Sequence, residues 1–383
     1  MNIIKNFAFL SCFIAPIAAT ATETGEQTIG IYDHAVFYDG YLNTNNPDKD
    51  LDDGILRHSC SLYSVKITDE QLDRIGEKLD MNVYVTACCD NYDRIGNINI
   101  AFVPKGEKDY DPKEVERIEI ARFITPFMDK NKEPNTVPYY YNIDNLSPIL
   151  RDKDLRGQYD FWLEYELFGV PYAANKQIEG CENRSDTFAG TLEFVTNGPT
   201  EPTSGNILVP IVIKKPETEG NNLNNYNANA TDTIGKTTKT YVFEVPQDVK
   251  DARIILITSN HGANRGGEEY NRRDHFVYYD DGLIMSYKPG RQSCEPFRSR
   301  NTQKNGIYGR KVNGEWNYEP YPDEVWQSFS NWCPGDVIDT RLIMLGDVKK
   351  GEHKIRISVP DAEFVDAQGD IPVSMYFHGE KAQ

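Results

Sequence analysis

Positive charge is in short supply in this chain. Over 383 residues, 41 Lys and Arg stand against 59 Asp and Glu, a formal net charge of −18. Recognition of a nucleic-acid backbone needs a basic stripe, and none is visible, so nucleic acid is not an expected partner. An anionic membrane surface is disfavoured for the same reason. Histidine is scarce as well. His34, His58, His261, His275, His353 and His378 show no short metal-ligand spacing. Asp48, Asp50 and Asp52 open like a calcium loop, but Asp53 occupies the glycine position and Ser59 the bidentate position. No metal or other cofactor is expected. There is no Gly-x-Ser-x-Gly elbow and no phosphate-cradling glycine loop. After residue 21 no apolar run is long enough to span a bilayer.

Met1 to Ala21 has the pattern of an export signal: Lys5, an apolar run from Phe7 to Ala18, then Ala19-Thr20-Ala21 for cleavage. A secreted or periplasmic protein is therefore expected. Loss of the signal removes Cys12 and leaves Cys60, Cys88, Cys89, Cys181, Cys294 and Cys333, an even set that implies a disulfide framework. The vicinal pair Cys88-Cys89 is expected to bond to two different partners, and the four cysteines before residue 200 allow three connectivities.

The length exceeds one ordinary core, so two domains are expected, over residues 22–200 and 205–383, with Gly198 to Gly205 as the linker. The chain carries 23 tyrosines, and short alternating segments bounded by Gly, Pro, Asn and Asp recur. They run over 82–86, 97–102, 117–121 and 159–165, then 207–213, 240–245, 253–258, 275–279, 353–359 and 372–377. This is the period of antiparallel strands, and it predicts an all-β protein of two sandwiches. One helix is expected over Thr68 to Leu79.

Three segments set acids beside aromatic rings and half-cystines: Cys89-Asp90-Asn91-Tyr92-Asp93-Arg94, Gly267-Glu268-Glu269-Tyr270 and Asn331-Trp332-Cys333-Pro334-Gly335. Amide hydrolysis near neutral pH needs an activated water, a proton for the leaving nitrogen and a stabilised oxyanion. Carboxylates can move those protons when their environments separate their pKa values. Asp93 leaves a strand beside Tyr92 and Arg94, although a turn aspartate capping backbone amides is the plainer reading of its spacing. Trp162, Glu164 and Glu166 share one strand face, which suits either a sugar or plain solvent. Glu268 and Glu269 follow a glycine-rich stretch that begins at His261.

Taken together, and in this order, these segments resemble the peptide-N-glycosidase F family, bacterial amidases that remove whole N-linked glycans from asparagine. Arg122-Phe123-Ile124-Thr125-Pro126 adds a further match. The resemblance implies two side-by-side eight-stranded antiparallel jelly rolls with the active site between them. It implies hydrolysis of the amide between asparagine and the innermost N-acetylglucosamine, leaving aspartate and a glycosylamine. N-glycosylated proteins and glycopeptides would be the partners, and a monomer is the expected state. The catalytic acids would be Asp93, Glu269 and Glu164, with Glu166 two residues away on the same face. Arg94 would keep Asp93 ionised, and Arg94, Tyr270, Trp332, His261 and Trp162 would contact substrate. Cys294 and Cys333 would form the bridge behind the Trp332 loop.

There are departures from the family. Gly267 and Asn271 stand where it flanks its second glutamate with a disulfide. Tyr270 replaces a tryptophan, and Phe329 an arginine. A glycan-binding protein with the same double jelly roll and no hydrolysis is thus the alternative. A copper monooxygenase of similar architecture is opposed by the missing His-x-His spacing.

Overall fold

The computed structural model describes residues 25–42, 51, 54–213, 223, 237–262, 268–303, 310–317, 331–363 and 369–382. The export-signal segment, Asp48, Asp50, Asp52, Asp53, Gly267, Phe329 and the Asn-rich run around 221–229 (Leu223 apart) lie outside those residues. No helix among the described residues is long and apolar enough to cross a membrane.

Among the described residues, nine strands lie before Gly198: β1 Gln27–Tyr38, β2 Ile55–Ser59, β3 Leu62–Lys66, β4 Leu79–Ala87, β5 Ile95–Pro104, β6 Glu116–Ile124, β7 Thr136–Asn142, β8 Tyr159–Leu167 and β9 Asp186–Thr196. They form a four-stranded sheet ordered β1-β9-β4-β7 and the bulk of a six-stranded sheet ordered β17-β6-β5-β8-β3-β2. Its sixth strand, β17 (Val337–Ile338), comes from the far end of the chain and pairs antiparallel with β6, Val337 opposite Phe123. Residues of alternating strands such as Val83, Val85, Ile98, Ile100, Leu163 and Tyr165 face each other between the sheets and make the first core.

The second half supplies β10 Asn206–Val212, β11 Thr238–Val245, β12 Val249–Thr258, β13 His275–Tyr279, β14 Gly282–Tyr287, β18 Arg341–Val348, β19 Gly351–Ser358 and β20 Val373–Lys381. These stack as two four-stranded sheets, β10-β20-β12-β18 and β11-β19-β13-β14, over a core that includes Ile254, Leu256, Ile355 and Phe377. A small hairpin, β15 Arg310–Val312 with β16 Glu315–Asn317, stands apart. The fold is therefore all-β in two sandwiches. Among the described residues the second sandwich has eight strands as expected, whereas the first has nine of its own and borrows a tenth.

Two local expectations are corrected. The helix over Thr68 to Leu79 is only α1, Asp69–Asp73, started by a Thr68–Gln71 capping box. It stops because Gly76 is pressed against the Gly198 carbonyl, with no room for a Cβ, and Leu79 is claimed by β4 opposite Thr196. Of the expected disulfide framework, two bridges form, Cys89–Cys181 and Cys294–Cys333. Cys60 and Cys88 are not bridged. Cys88 and Cys89 thus do not each find a disulfide partner; the Cys88 thiol hydrogen-bonds Asp186 instead.

The halves meet across β6. Fully buried Arg122 forks onto Glu119 on its own strand through Nε and Nη2, at 2.7 and 2.8 Å. Its Nη1 donates to Ser259 Oγ at 2.8 Å and to the Pro372 carbonyl at 3.0 Å, both in the second half. Ser374 donates back to Glu119. One ion pair is thereby hydrogen-bonded to both sandwiches.

Candidate active site

The turn Cys88–Arg94 links β4 to β5, and Asp90 organises it. Its carboxylate is buried. It accepts the Tyr92 N–H at 3.0 Å, the Val170 N–H at 2.7 Å and Arg94 Nε at 2.7 Å. An aspartate accepting the N–H two residues on is an Asx-turn, so the spacing Asp90-x-Tyr92 was a usable signal that the sequence reading passed over. Asn91 is tied to Gln177 at 2.8 Å, and Cys89 to Cys181. Thr125, from the Arg-Phe-Ile-Thr-Pro segment, closes the turn from the other side. It accepts the Arg94 N–H at 2.7 Å and donates to the Tyr92 carbonyl at 3.2 Å.

This bracing leaves the half-buried Asp93 to face the second half. Burial pushes its pKa up to about 7, the negative charge of Glu269 pushes the same way, and Arg94 opposes them. The expectation that Arg94 keeps Asp93 ionised is corrected: burial and the Glu269 charge outweigh Arg94, whose fork is on Asp90, and Asp93 is held well above the usual carboxylate range.

Glu269 sits in the turn Glu268–Asn271. Asn331 fixes that turn, its Nδ2 donating to the carbonyls of Glu268, Glu269 and Asn271 at 2.6, 3.1 and 3.0 Å. The Asn331 N–H donates to Glu269 as well. The neighbouring acid, Glu268, is fully buried and paired with Arg273 at 2.8 Å, which separates the two glutamates by role. Glu269 accepts the Gly262 N–H at 3.4 Å and a hydrogen bond from the Tyr270 phenol; burial raises its pKa despite both. The segment Asn331–Gly335 turns back on itself through Gly335, whose φ of 94° favours glycine. The Cys294–Cys333 bridge anchors it.

Other expected contacts are placed differently. Trp332 is buried in a small apolar cluster with Ile124, Ile257 and Ile338, and its indole donates to the Asn260 carbonyl at 3.0 Å. It props up the stub that carries His261, whose ring lies 5.8 Å away and whose Nε2 pairs with Ser259 Oγ. Trp162 packs with Ala101 and Val103 under Tyr110 and is core rather than a sugar platform.

Glu164 has no exposed surface. Four donors occupy its carboxylate: Tyr110 OH and Asn99 Nδ2, both at 2.9 Å, with Arg117 Nε at 2.8 Å and Nη2 at 2.5 Å. These bonds fill the carboxylate, so Glu164, expected among the catalytic acids, sits in the structure as a buried anchor. Glu164 is paired with Asn99 of β5, and Glu166 with Asn97. At about 3.4 Å per residue, these rows lie up to ~20 Å and ~13 Å along the strand from Asp93. The structure thus joins Asp93, Glu269 and Tyr270, and leaves Glu164 one strand length away.

Two antiparallel sandwiches that present one acid each across their seam define a double-sandwich protein with a candidate two-carboxylate site. The chain belongs to the peptide-N-glycosidase F family. It matches the family's description "Peptide-N-glycosidase F, N terminal" over residues 28–183 and "Peptide-N-glycosidase F, C terminal" over residues 225–378. No curated protein matches it.

Among solved structures it is similar to PNGF-II (18% identity, TM-score 0.64), over 94% of this chain and 66% of that one. It thus spans less than two thirds of PNGF-II. It is also similar to PNGase F, a glycosylasparaginase from Flavobacterium meningosepticum (14% identity, TM-score 0.56), over 94% of this chain and 97% of that one. Recombinant PNGase F gives 16% identity and a TM-score of 0.57, with 94% and 96% covered. At these identities the structural likeness establishes the fold.

Proposed function

We propose that the protein hydrolyses the amide joining asparagine to the innermost N-acetylglucosamine of N-linked glycans. The observation that carries the reading is the meeting of Asp93 and Glu269 across the seam, with Asp93 raised to about 7. A carboxyl poised near neutrality can donate a proton, and a second one beside it can accept one. Glu269 takes a proton from water as its oxygen attacks the side-chain carbonyl. Asp93 gives its proton to the leaving nitrogen, and the carbon–nitrogen bond breaks to release a glycosylamine and leave aspartate. Tyr270 holds Glu269 in place, and Arg94 and Asp90 hold the turn that aims Asp93. Family membership supports the substrate class, as does the likeness to PNGase F, a glycosylasparaginase.

Mass spectrometry of a glycopeptide panel in water enriched in heavy oxygen tests this. Heavy aspartate is expected, and Asp93→Asn is expected to lower its formation at least about a hundredfold, the scale of lost acid catalysis. Glycopeptides that bind but stay intact would favour the glycan-binding alternative. Cleavage between sugars would refute the amidase reading.

A further inference from the structure

Tyr41 is 72% exposed and Tyr172 is 54% exposed, and neither ring is needed by either core. Both are tied to one carboxylate, that of Asp39. Tyr41 lies edge-on to Phe168 at 5.2 Å, and the Tyr172 phenol hydrogen-bonds the Asp39 carboxylate. Asp39 Oδ1 also receives the Tyr41 N–H at 3.1 Å. This small aromatic shelf is fastened to the candidate site. The segment carrying Tyr172 is bound to the Asp93 turn at Val170, Gln177 and Cys181, by two hydrogen bonds and a disulfide. Gly40 is tied to the same segment through the Gly169 carbonyl at 2.9 Å. Five residues of backbone and one hydrogen bond separate Tyr172 from Asp93, on the order of 20 Å at full stretch. An oligosaccharide of several units covers that span.

We infer that Tyr41 and Tyr172 form a second glycan subsite, which holds sugars distant from the bond cleaved at Asp93. Sugar rings lay their C–H faces on aromatic rings, here with Asp39 buried beneath as the support of the shelf, and an uncharged ligand suits so acidic a chain. A polypeptide is less well served. Extended peptides are captured through unpaired backbone groups. Here the N–H groups of Tyr38, Asp39, Gly40, Tyr41 and Leu42 are all spent internally. Rings with a satisfied backbone beneath them favour a sugar face.

The inference rests on the amidase reading for its ligand class, so the test separates the two. Asp93→Asn protein, with and without Tyr41→Ala/Tyr172→Ala, is titrated with a free biantennary N-glycan, with chitobiose, and with a sugar-free peptide. Removing both rings is expected to weaken the N-glycan by about tenfold or more, the scale of lost aromatic anchors, and to leave chitobiose unchanged. The Tyr→Phe pair is expected to retain most of the affinity and certifies the fold. Unchanged N-glycan binding, an equal loss for chitobiose, or a loss confined to the peptide would each overturn the subsite. Turnover by the wild type with unchanged N-glycan binding would sink the shelf and keep the amidase. Ring-dependent binding without any turnover would do the reverse.

Discussion

The charge state of Asp93 decides what the site can do. Its ordinary pKa of 3.8 rises to about 7 in the folded protein, so the native state holds a proton that the unfolded chain releases. Stability contributed by that proton is present below the unfolded value and is lost as pH climbs toward 7. Asp93→Asn is therefore expected to melt with the wild type at pH 4 and above it at pH 8, in paired thermal scans. Equal differences at both pH values would contradict the burial that sets the shift. A proton donor with this pKa also predicts kcat falling above about pH 7, while the acid limb belongs to Glu269; the two limbs report the coupled pair. Little of this was legible in the sequence. Asp93 was picked out by its motif, but its shift comes first from burial and then from the Glu269 charge, while the Arg94 cation is forked onto Asp90. Which of two adjacent groups wins a cation depends on turn geometry, and residue order does not carry that.

At the level of elements, the turn holding Glu269 depends on one side chain in another segment. Asn331→Ala removes three donated hydrogen bonds, each worth about 1 kcal/mol. The expected result is a kcat lower by about tenfold or more, with KM nearly unchanged and the bridge to Cys294 intact; unchanged kinetics would mean that the turn holds itself. All ten strand segments read from period-2 patterns fall on strands of the structure. Two of those overlooked, β7 and β1, have a visible cause. The third position of β7 is Pro138, tolerated because that strand is an edge of its sheet. In β1 the pairing with β9 slips three times, which destroys a clean alternation. The expected Trp162–Glu164–Glu166 face was correctly placed on one side of β8. Its covering by Tyr110, from a loop with no periodic signal, was not readable, and that cover turns a sugar platform into a buried anchor.

Across the whole molecule, the two sandwiches share a buried ion pair and a strand. Arg122→Met leaves the Glu119 charge uncompensated in the seam, a loss of about 3–5 kcal/mol. It is expected to split one calorimetric transition into two as the halves unfold separately; a single transition at the wild-type midpoint would show that the seam is held elsewhere. The division into two β halves was visible from composition and turn signals. The exchange between them was not, because a two-residue strand such as β17 has no pattern of its own. That loan has a consequence in time. Chains are made from the amino end, and domains form as they emerge. The partner of Phe123 is Val337, more than two hundred residues later. Until that late segment arrives, the earlier sandwich has an open flank, Arg122 lacks its Ser259 partner, and Asp93 has no Glu269 to face. On the proposed amidase reading, a nascent or truncated product would thus be inactive, and competence would be conferred only at the last stage of synthesis.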